Sequence, residues 1–173
     1  MAHKLITGQT LSGKSTLARA IVADASARHI VPVIYDPTLS PDWKSDFVTD
    51  DYAEFVSNLS ECARAGLPIF AVVDEADTVL SQGDRDNWWL FTRGRHFGIE
   101  ACAITQRPQL VAPTVRGQCA DVFVFHLGKN DASFLSEDVA APDIQGAPTL
   151  RQGEFYRVGW RDGRRITDKL KIF

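Results

Sequence analysis

Eight residues near the amino terminus constrain this chain more than any others. Gly8-Gln9-Thr10-Leu11-Ser12-Gly13-Lys14-Ser15 follows a short apolar run containing Leu5 and Ile6 and precedes the helix-like Thr16-Leu17-Ala18-Arg19-Ala20-Ile21-Val22-Ala23. This is the spacing G-x-x-x-x-G-K-[ST], set between a strand and a helix. Glycines let the main chain curl until successive N–H groups point inward at phosphate oxygens, and the following helix adds its positive amino end. On that chemistry Gly8, Gln9, Thr10, Leu11, Ser12, Gly13, Lys14, Ser15 and Thr16 form a cradle for a nucleoside triphosphate. Lys14 is expected on the β- and γ-phosphates and the Ser15 hydroxyl on Mg²⁺. A Gly/Ser loop that only caps a helix would explain the glycines but not the lysine and the flanking elements.

The rest of the chain supplies a setting for such a loop. With 45% hydrophobic side chains among 173 residues, it can bury one normal core, and it is read as a single domain over residues 1–173. Short apolar runs alternate with helical patterns, the signature of a parallel sheet with crossover helices. After the first helix, strands are expected at Ile30 to Tyr35, Phe47-Val48, Ile69 to Val73, Ile99 to Ile104 and Asp121 to His126. Helices are expected at Asp51 to Ala65, closed by Gly66, and at Asp84 to Arg93. Glu154 to Trp160 and Arg164 to Thr167 flank Asp162-Gly163, a strong hairpin signal. The fold class read from this pattern is α/β: a P-loop NTPase with a central, mostly parallel sheet flanked by helices and a C-terminal β-hairpin.

Charge is unevenly placed. The net charge of -3 argues against a surface that binds nucleic acid all over. From Arg151 to Phe173, however, seven basic side chains face three acidic ones, a net of +4 that leaves −7 on the preceding residues. Arg157, Arg161, Arg164 and Arg165 are the candidates for contact with a polyanion, against the alternative of a solvated edge strand. On the hairpin, Phe155, Arg157, Gly159 and Arg161 share one face, while Tyr156, Val158 and Trp160 share an apolar one. The three cysteines (Cys62, Cys102, Cys119) have neither disulfide nor zinc spacing, which fits a reducing compartment. Without an apolar run of about 18 residues or a leader-like start, the expectation is a cytoplasmic protein that engages no membrane.

Hydrolysis of a triphosphate needs a carboxylate near Mg²⁺ and a second group that orients or deprotonates water. Asp74 and Glu75 follow the unbroken apolar strand Ile69-Phe70-Ala71-Val72-Val73, at the carboxyl edge where such sheets bind ligands. Asp74 is assigned to the metal and Glu75 to the water; a pair that merely caps a helix is the plain alternative. Gln106 ends the next strand, and its amide can donate to phosphate and accept from water without adding charge. Arg93 and Arg95 stand around Gly94, where an arginine could reach a neighbouring copy's γ-phosphate. They could equally pair with Asp84 or Asp86. Trp88 and Trp89 are divided between core packing and a subunit contact.

Taken together, Leu5 to Ser15, Val33-Ile34-Tyr35-Asp36-Pro37, Val72-Val73-Asp74-Glu75, Arg93-Gly94-Arg95-His96-Phe97-Gly98 and Thr105-Gln106-Arg107-Pro108 resemble the FtsK-HerA superfamily of ring-shaped DNA-pumping ATPases. The resemblance spans roughly residues 5 to 110. It implies a RecA-like (ASCE) fold, Mg-ATP hydrolysis and a homo-oligomeric ring, a hexamer or pentamer, acting on double-stranded DNA. On it, Arg95 looks like the intersubunit arginine, with Arg93 the second choice, and Gln106 looks like the polar sensor. Without the membrane segments or large extra domains of chromosome-segregating, conjugative and filamentous-phage members, the chain looks most like viral genome-packaging ATPases. That implies a capsid or portal partner, in host cytoplasm or at a virion vertex.

Two other classes share the motifs. A P-loop small-molecule kinase would need an acceptor pocket and a mobile arginine-bearing lid, with Asp36 as an acceptor-side base. A nucleotide-switched regulatory subunit, including a filamentous-phage assembly-type ATPase, would bind ATP to control a partner. A helicase lacks room for a second motor lobe, and Gly128-Lys129-Asn130-Asp131 scrambles the guanine-reading order N-K-x-D.

Overall fold

A computed structural model describes residues 2–172; Met1 and Phe173, the ends of the single-domain expectation, lie outside the described residues. Among the described residues eight strands form one sheet: β1 (His3–Thr7), β2 (Val31–Tyr35), β3 (Phe47–Thr49), β4 (Ile69–Val73), β5 (Ile99–Thr105), β6 (Cys119–Val124), β7 (Glu154–Arg161) and β8 (Arg164–Lys171). Their spatial order is β3-β2-β4-β5-β1-β6-β7-β8; the first six are mutually parallel, β7 is antiparallel to β6, and β8 is antiparallel to β7. The strand carrying Asp74 is thus separated from the strand feeding the phosphate loop by β5, which ends at Gln106. This inserted strand is what the RecA-like class requires, and it brings three motif-bearing strand ends side by side at one sheet edge.

Side-chain alternation builds a core on each face. Leu5, Ala71, Val73, Ala101 and Ala103 pack under α2 (Tyr52–Arg64), α3 (Trp89–Thr92), α4 (Pro113–Arg116) and α5 (Lys129–Asp138). Ile6, Phe70, Val72, Cys102 and Ile104 face α1 (Lys14–Ala27). Helix α2 starts at the Asp51 cap, whose carboxylate accepts from the Ala53 and Glu54 N–H groups, and ends at Gly66 in the left-handed region. Asp162 and Gly163 both adopt positive φ, as a two-residue hairpin needs.

Two expectations are corrected. Asp84 to Arg93 is not one helix: a 3-10 turn at Arg85–Asn87 precedes α3, because Asp84 turns its carboxylate back to the Ser81 N–H and hydroxyl rather than capping a helix. The hairpin also does not divide into a basic and an apolar face. At its root Phe155 is buried against Phe123 and Phe125, and Arg157 is tied to Asp121 at 2.9 Å. At its tip Trp160 is 60% exposed and stacked by Arg165. Position along the hairpin, which residue alternation cannot report, decides this: β6 pairs with β7 only at Tyr156 to Val158 and leaves the tip uncovered. Trp88 and Trp89 are half-buried against the core, and the Trp88 indole donates to the Ser81 carbonyl.

His3 is fully buried beside Phe91, and its Nδ1 accepts from the Ala101 N–H at 2.9 Å. Burial first, then the Arg95 charge, hold its pKa down at about 4. The unfolded chain therefore binds a proton that the folded chain refuses between about pH 6.5 and 4. Stability should be complete above that window and fall by about 3 kcal/mol as pH drops through it. His3→Asn, whose Oδ1 can accept the same bond, should flatten this slope in urea midpoints measured against pH.

Candidate active site

The phosphate loop curls where a side chain would not be tolerated. Gly8 and Gly13 adopt φ of 154° and 118°, and a Cβ on Gly8 would lie 2.6 Å from the Cβ of Phe125. The loop is anchored by the Gly8 N–H on the Thr105 carbonyl and the Gln9 N–H on the His126 carbonyl. It forms one wall of a cleft of about 680 Å³ at the carboxyl edge of the sheet. Thr10, Leu11, Gly13, Lys14, Ser15 and Thr16 line it from the loop, Asp74 and Glu75 from β4, and Gln106 from β5. The cleft thus brings the expected phosphate, metal, water and sensor residues together.

Neighbouring residues on a strand point to opposite faces, so Asp74 and Glu75 need a device to share one cleft. Glu75 supplies it by adopting φ 47°, ψ 46°, a left-handed conformation that costs a non-glycine residue about 1–2 kcal/mol. The chain turns at once into the 3-10 segment Ala76–Thr78, whose Asp77 accepts from the Thr105 hydroxyl at 2.6 Å. That bond ties the Glu75 turn to the end of β5. Gln106 accepts in turn from the Thr10 hydroxyl at 2.8 Å, so loop, carboxylate turn and sensor strand are joined.

Electrostatics follow from burial. Lys14 donates to the Gln9 carbonyl at 2.8 Å, and its pKa is lowered by desolvation, an effect that Asp74 partly offsets. Asp74 is raised, first by burial and further by Asp36 and Glu75, against the Glu75 N–H and Lys14. A hydroxyl and a carboxylate are the hard-oxygen donors that suit Mg²⁺, and added positive charge would offset the burial that disfavours the ionised Asp74. Ser15 and Asp74 therefore fit the metal expected of them.

Several other residues line the cleft that motif reading passed over. Arg19, one turn along α1 from Ser15, donates to the Ser40 hydroxyl, pairs with Asp42 at 3.0 Å and stacks on Trp43. Its i, i+4 spacing from Ser15 is a signal that could have found it. Gln152 and Arg107 also reach the cleft. Asp36, the kinase-type base candidate, is buried with both oxygens engaged. They accept from the Thr38 N–H and hydroxyl, the Ser40 N–H and the Trp43 indole. Burial alone would raise its pKa, but these bonds outweigh it and hold the carboxylate below its ordinary range.

Arg93 and Arg95 do not reach this cleft. They flank the start of β5, whereas the cleft lies at its end, about 20 Å away at strand rise. Both are exposed. Neither forms an ion pair with Asp84 or Asp86, and Arg95 touches only the Gln118 amide, at 3.4 Å, among the described residues. The hairpin tip with Arg161 and Arg164 lies at this same far edge, because β7 runs antiparallel to β6.

No protein-family model matches the chain, and no curated protein matches it in sequence. Solved structures do match. The genome packaging NTPase B204 of Sulfolobus turreted icosahedral virus 2, in complex with sulfate, superposes with a TM-score of 0.79 at 19% identity, over 99% of this chain and 97% of that one. Its complex with ATP-gammaS gives 0.78 at 18% identity, over 99% and 98%. The pCW3 conjugation coupling protein TcpA gives 0.65 at 16% identity, over 96% of this chain and 59% of that one. The likeness shows the fold: a P-loop NTPase with one central sheet and a C-terminal hairpin. It is the fold that the FtsK-HerA resemblance in the motifs implies.

Proposed function

We propose that residues 1–173 form a single-domain, Mg²⁺-dependent ATPase that works as a homo-oligomeric ring moving double-stranded DNA. Its proposed setting is viral genome packaging against a capsid or portal, in host cytoplasm or at a virion vertex. One observation carries this reading: Lys14, Ser15, Asp74, Glu75 and Gln106 line one cleft while both candidate arginines stand at the opposite edge. A site completed by Arg93 or Arg95 therefore takes two copies of the chain. The full-length likeness to a viral packaging NTPase supports the setting.

In this mechanism Lys14 leaves the Gln9 carbonyl for the β- and γ-phosphates, joined by the loop N–H groups. Ser15 and Asp74 would hold Mg²⁺, which supplies charge neutralisation on the phosphate oxygens. Glu75 accepts a proton from water as the water oxygen bonds to the γ-phosphorus and the bond to ADP breaks. Gln106 orients that water or the departing phosphate. A neighbour's Arg95, or Arg93 as the second choice, meets the charge that builds on the γ-phosphoryl group. The kinase alternative loses ground because Asp36 has no free lone pair directed at an acceptor.

The arginines proposed to touch DNA are narrowed by their partners. Arg157 is committed to Asp121, and Arg165 donates to the Val139 carbonyl, which leaves Arg164, and Arg161 with its longer 3.6 Å exposed pairing to Asp168, as the more available phosphate contacts. Phosphate release from Mg-ATP should rise when duplex DNA is added, and the stimulation should fade with added salt as counterions compete. The double variant Arg161→Ala, Arg164→Ala should lose stimulation but keep the basal rate. Light scattering with a slowly hydrolysed ATP analogue should report five or six copies. Phosphoryl transfer to a nucleoside without water-driven release, or a monomer under every condition, would overturn the reading.

A further inference from the structure

The cleft has a second end that the mechanism leaves unused. The carboxylates and Gln106 mark where the γ-phosphate belongs, so the nucleoside must leave the loop in the other direction, past Gly13. The main chain next to Gly13 there is the turn Arg151–Glu154: an added Cβ on Gly13 would lie 3.5 Å from the Gly153 Cα and 3.3 Å from the Ile172 Cδ1. Gln152 on this turn lines the cleft together with Leu11 and Thr16.

The turn is a rigid mount. The Glu154 N–H donates to the Arg151 carbonyl at 3.0 Å, and the Glu154 carboxylate accepts from the Arg151 N–H at 2.8 Å. Gly153 takes the positive φ of 81° that suits the third position of a type II turn. Its N–H donates to the Ser12 carbonyl at 2.9 Å, which fastens the turn to the phosphate loop, and its carbonyl accepts from the Ile172 N–H at 3.0 Å. Gln152 therefore projects from a fixed point beside the loop. Its amide makes no hydrogen bond among the described residues, whereas Gln106, across the cleft, already accepts from Thr10.

We infer that Gln152 is a specificity-determining residue whose amide reads the base of the bound nucleotide and selects adenine over guanine. A primary amide offers one donor and one acceptor side by side, which complements the adjacent N–H donor and ring-nitrogen acceptor on an adenine edge. The guanine Watson–Crick edge presents two adjacent donors beside its carbonyl, which suit a carboxylate better. Exposed Leu11 adds an apolar side chain to the cleft lining. This inference rests on the triphosphate reading of the site.

The test is equilibrium binding to the full-length chain with Mg²⁺, using ATP, GTP and inorganic tripolyphosphate as probes. Wild type should prefer ATP over GTP by about tenfold, the scale of one bidentate amide–base pair. Gln152→Ala should bring ATP down to the GTP level and leave tripolyphosphate unchanged, with an unaltered melting temperature because the side chain is exposed. Gln152→Glu should move the preference toward GTP. An unchanged ATP/GTP ratio in Gln152→Ala, or no preference in wild type, would overturn the assignment while leaving the phosphate site standing. Failure of tripolyphosphate and both nucleotides to bind would instead remove the phosphate site, and the base reading with it.

Discussion

Glu75→Gln is expected to lower ATP turnover by about 10²–10⁴-fold, the usual contribution of a positioned general base, while ATP remains bound. Glutamine has the same length, so it can hold the left-handed turn at φ 47° and keep its place in the cleft. What it lacks is the lone-pair charge that receives the proton from water. Lys14→Ala should also abolish turnover, but by a different route. It removes the cation that replaces its contact to the Gln9 carbonyl with contacts to phosphate, so binding goes as well. Nucleotide affinity therefore separates the two variants where turnover does not. Wild-type turnover by Glu75→Gln would strip Glu75 of its role and move attention to Asp77, the next carboxylate lining the cleft.

The second large effect concerns two copies at once. A variant carrying Arg93→Ala and Arg95→Ala should lose about 10³–10⁵ in rate, the range for arginines that stabilise phosphoryl transfer. Lys14→Ala should be inactive for want of a cradle. Mixed in equal amounts, the two should regain activity, because an intact cleft on one chain can meet intact arginines on the next. Random assembly would restore roughly a quarter of the junctions in a head-to-tail ring. The distance along β5 is the reason to expect this: arginines at its start cannot serve the cleft at its own end. Co-assembled mixtures that stay inactive would end the shared-site mechanism. Activity retained by the arginine double variant alone would show that another cation, with Arg107 in the cleft as the first candidate, does the work in the same chain.

Much of this molecule could be read from local chemistry. The phosphate loop, the buried strand ending in Asp74-Glu75, the strand ending in Gln106 and the Asp162-Gly163 turn are each specified by short-range rules: glycine freedom, apolar runs and positive φ. Those rules placed the strands, because hydrophobic periodicity and turn residues act within a few positions of themselves. They also put Lys14, Ser15, Asp74, Glu75 and Gln106 at strand ends. The order of strands made those ends converge on one cleft.

What residue type and periodicity did not supply is the partner that each group takes, whether near in the chain or remote from it. Asp84 looks like a helix cap until Ser81 folds back onto it, and Trp160 looks buried by alternation until the sheet runs out beside it. Asp36 reads as an available base, yet Thr38, Ser40 and Trp43 occupy both its oxygens. Gln152 carries no motif, and only the turn that Gly153 pins to Ser12 brings it to the phosphate loop, some 140 residues from its partner in sequence. Side-chain type and spacing determined which groups this protein has for handling a triphosphate. The packing of the sheet, through edges, crossovers and long-range hydrogen bonds, decided which of them face one another. That division arises because propensities act over a turn or two, whereas burial, and the loop conformation that selects which neighbouring donors a carboxylate takes, are settled only when the whole chain packs.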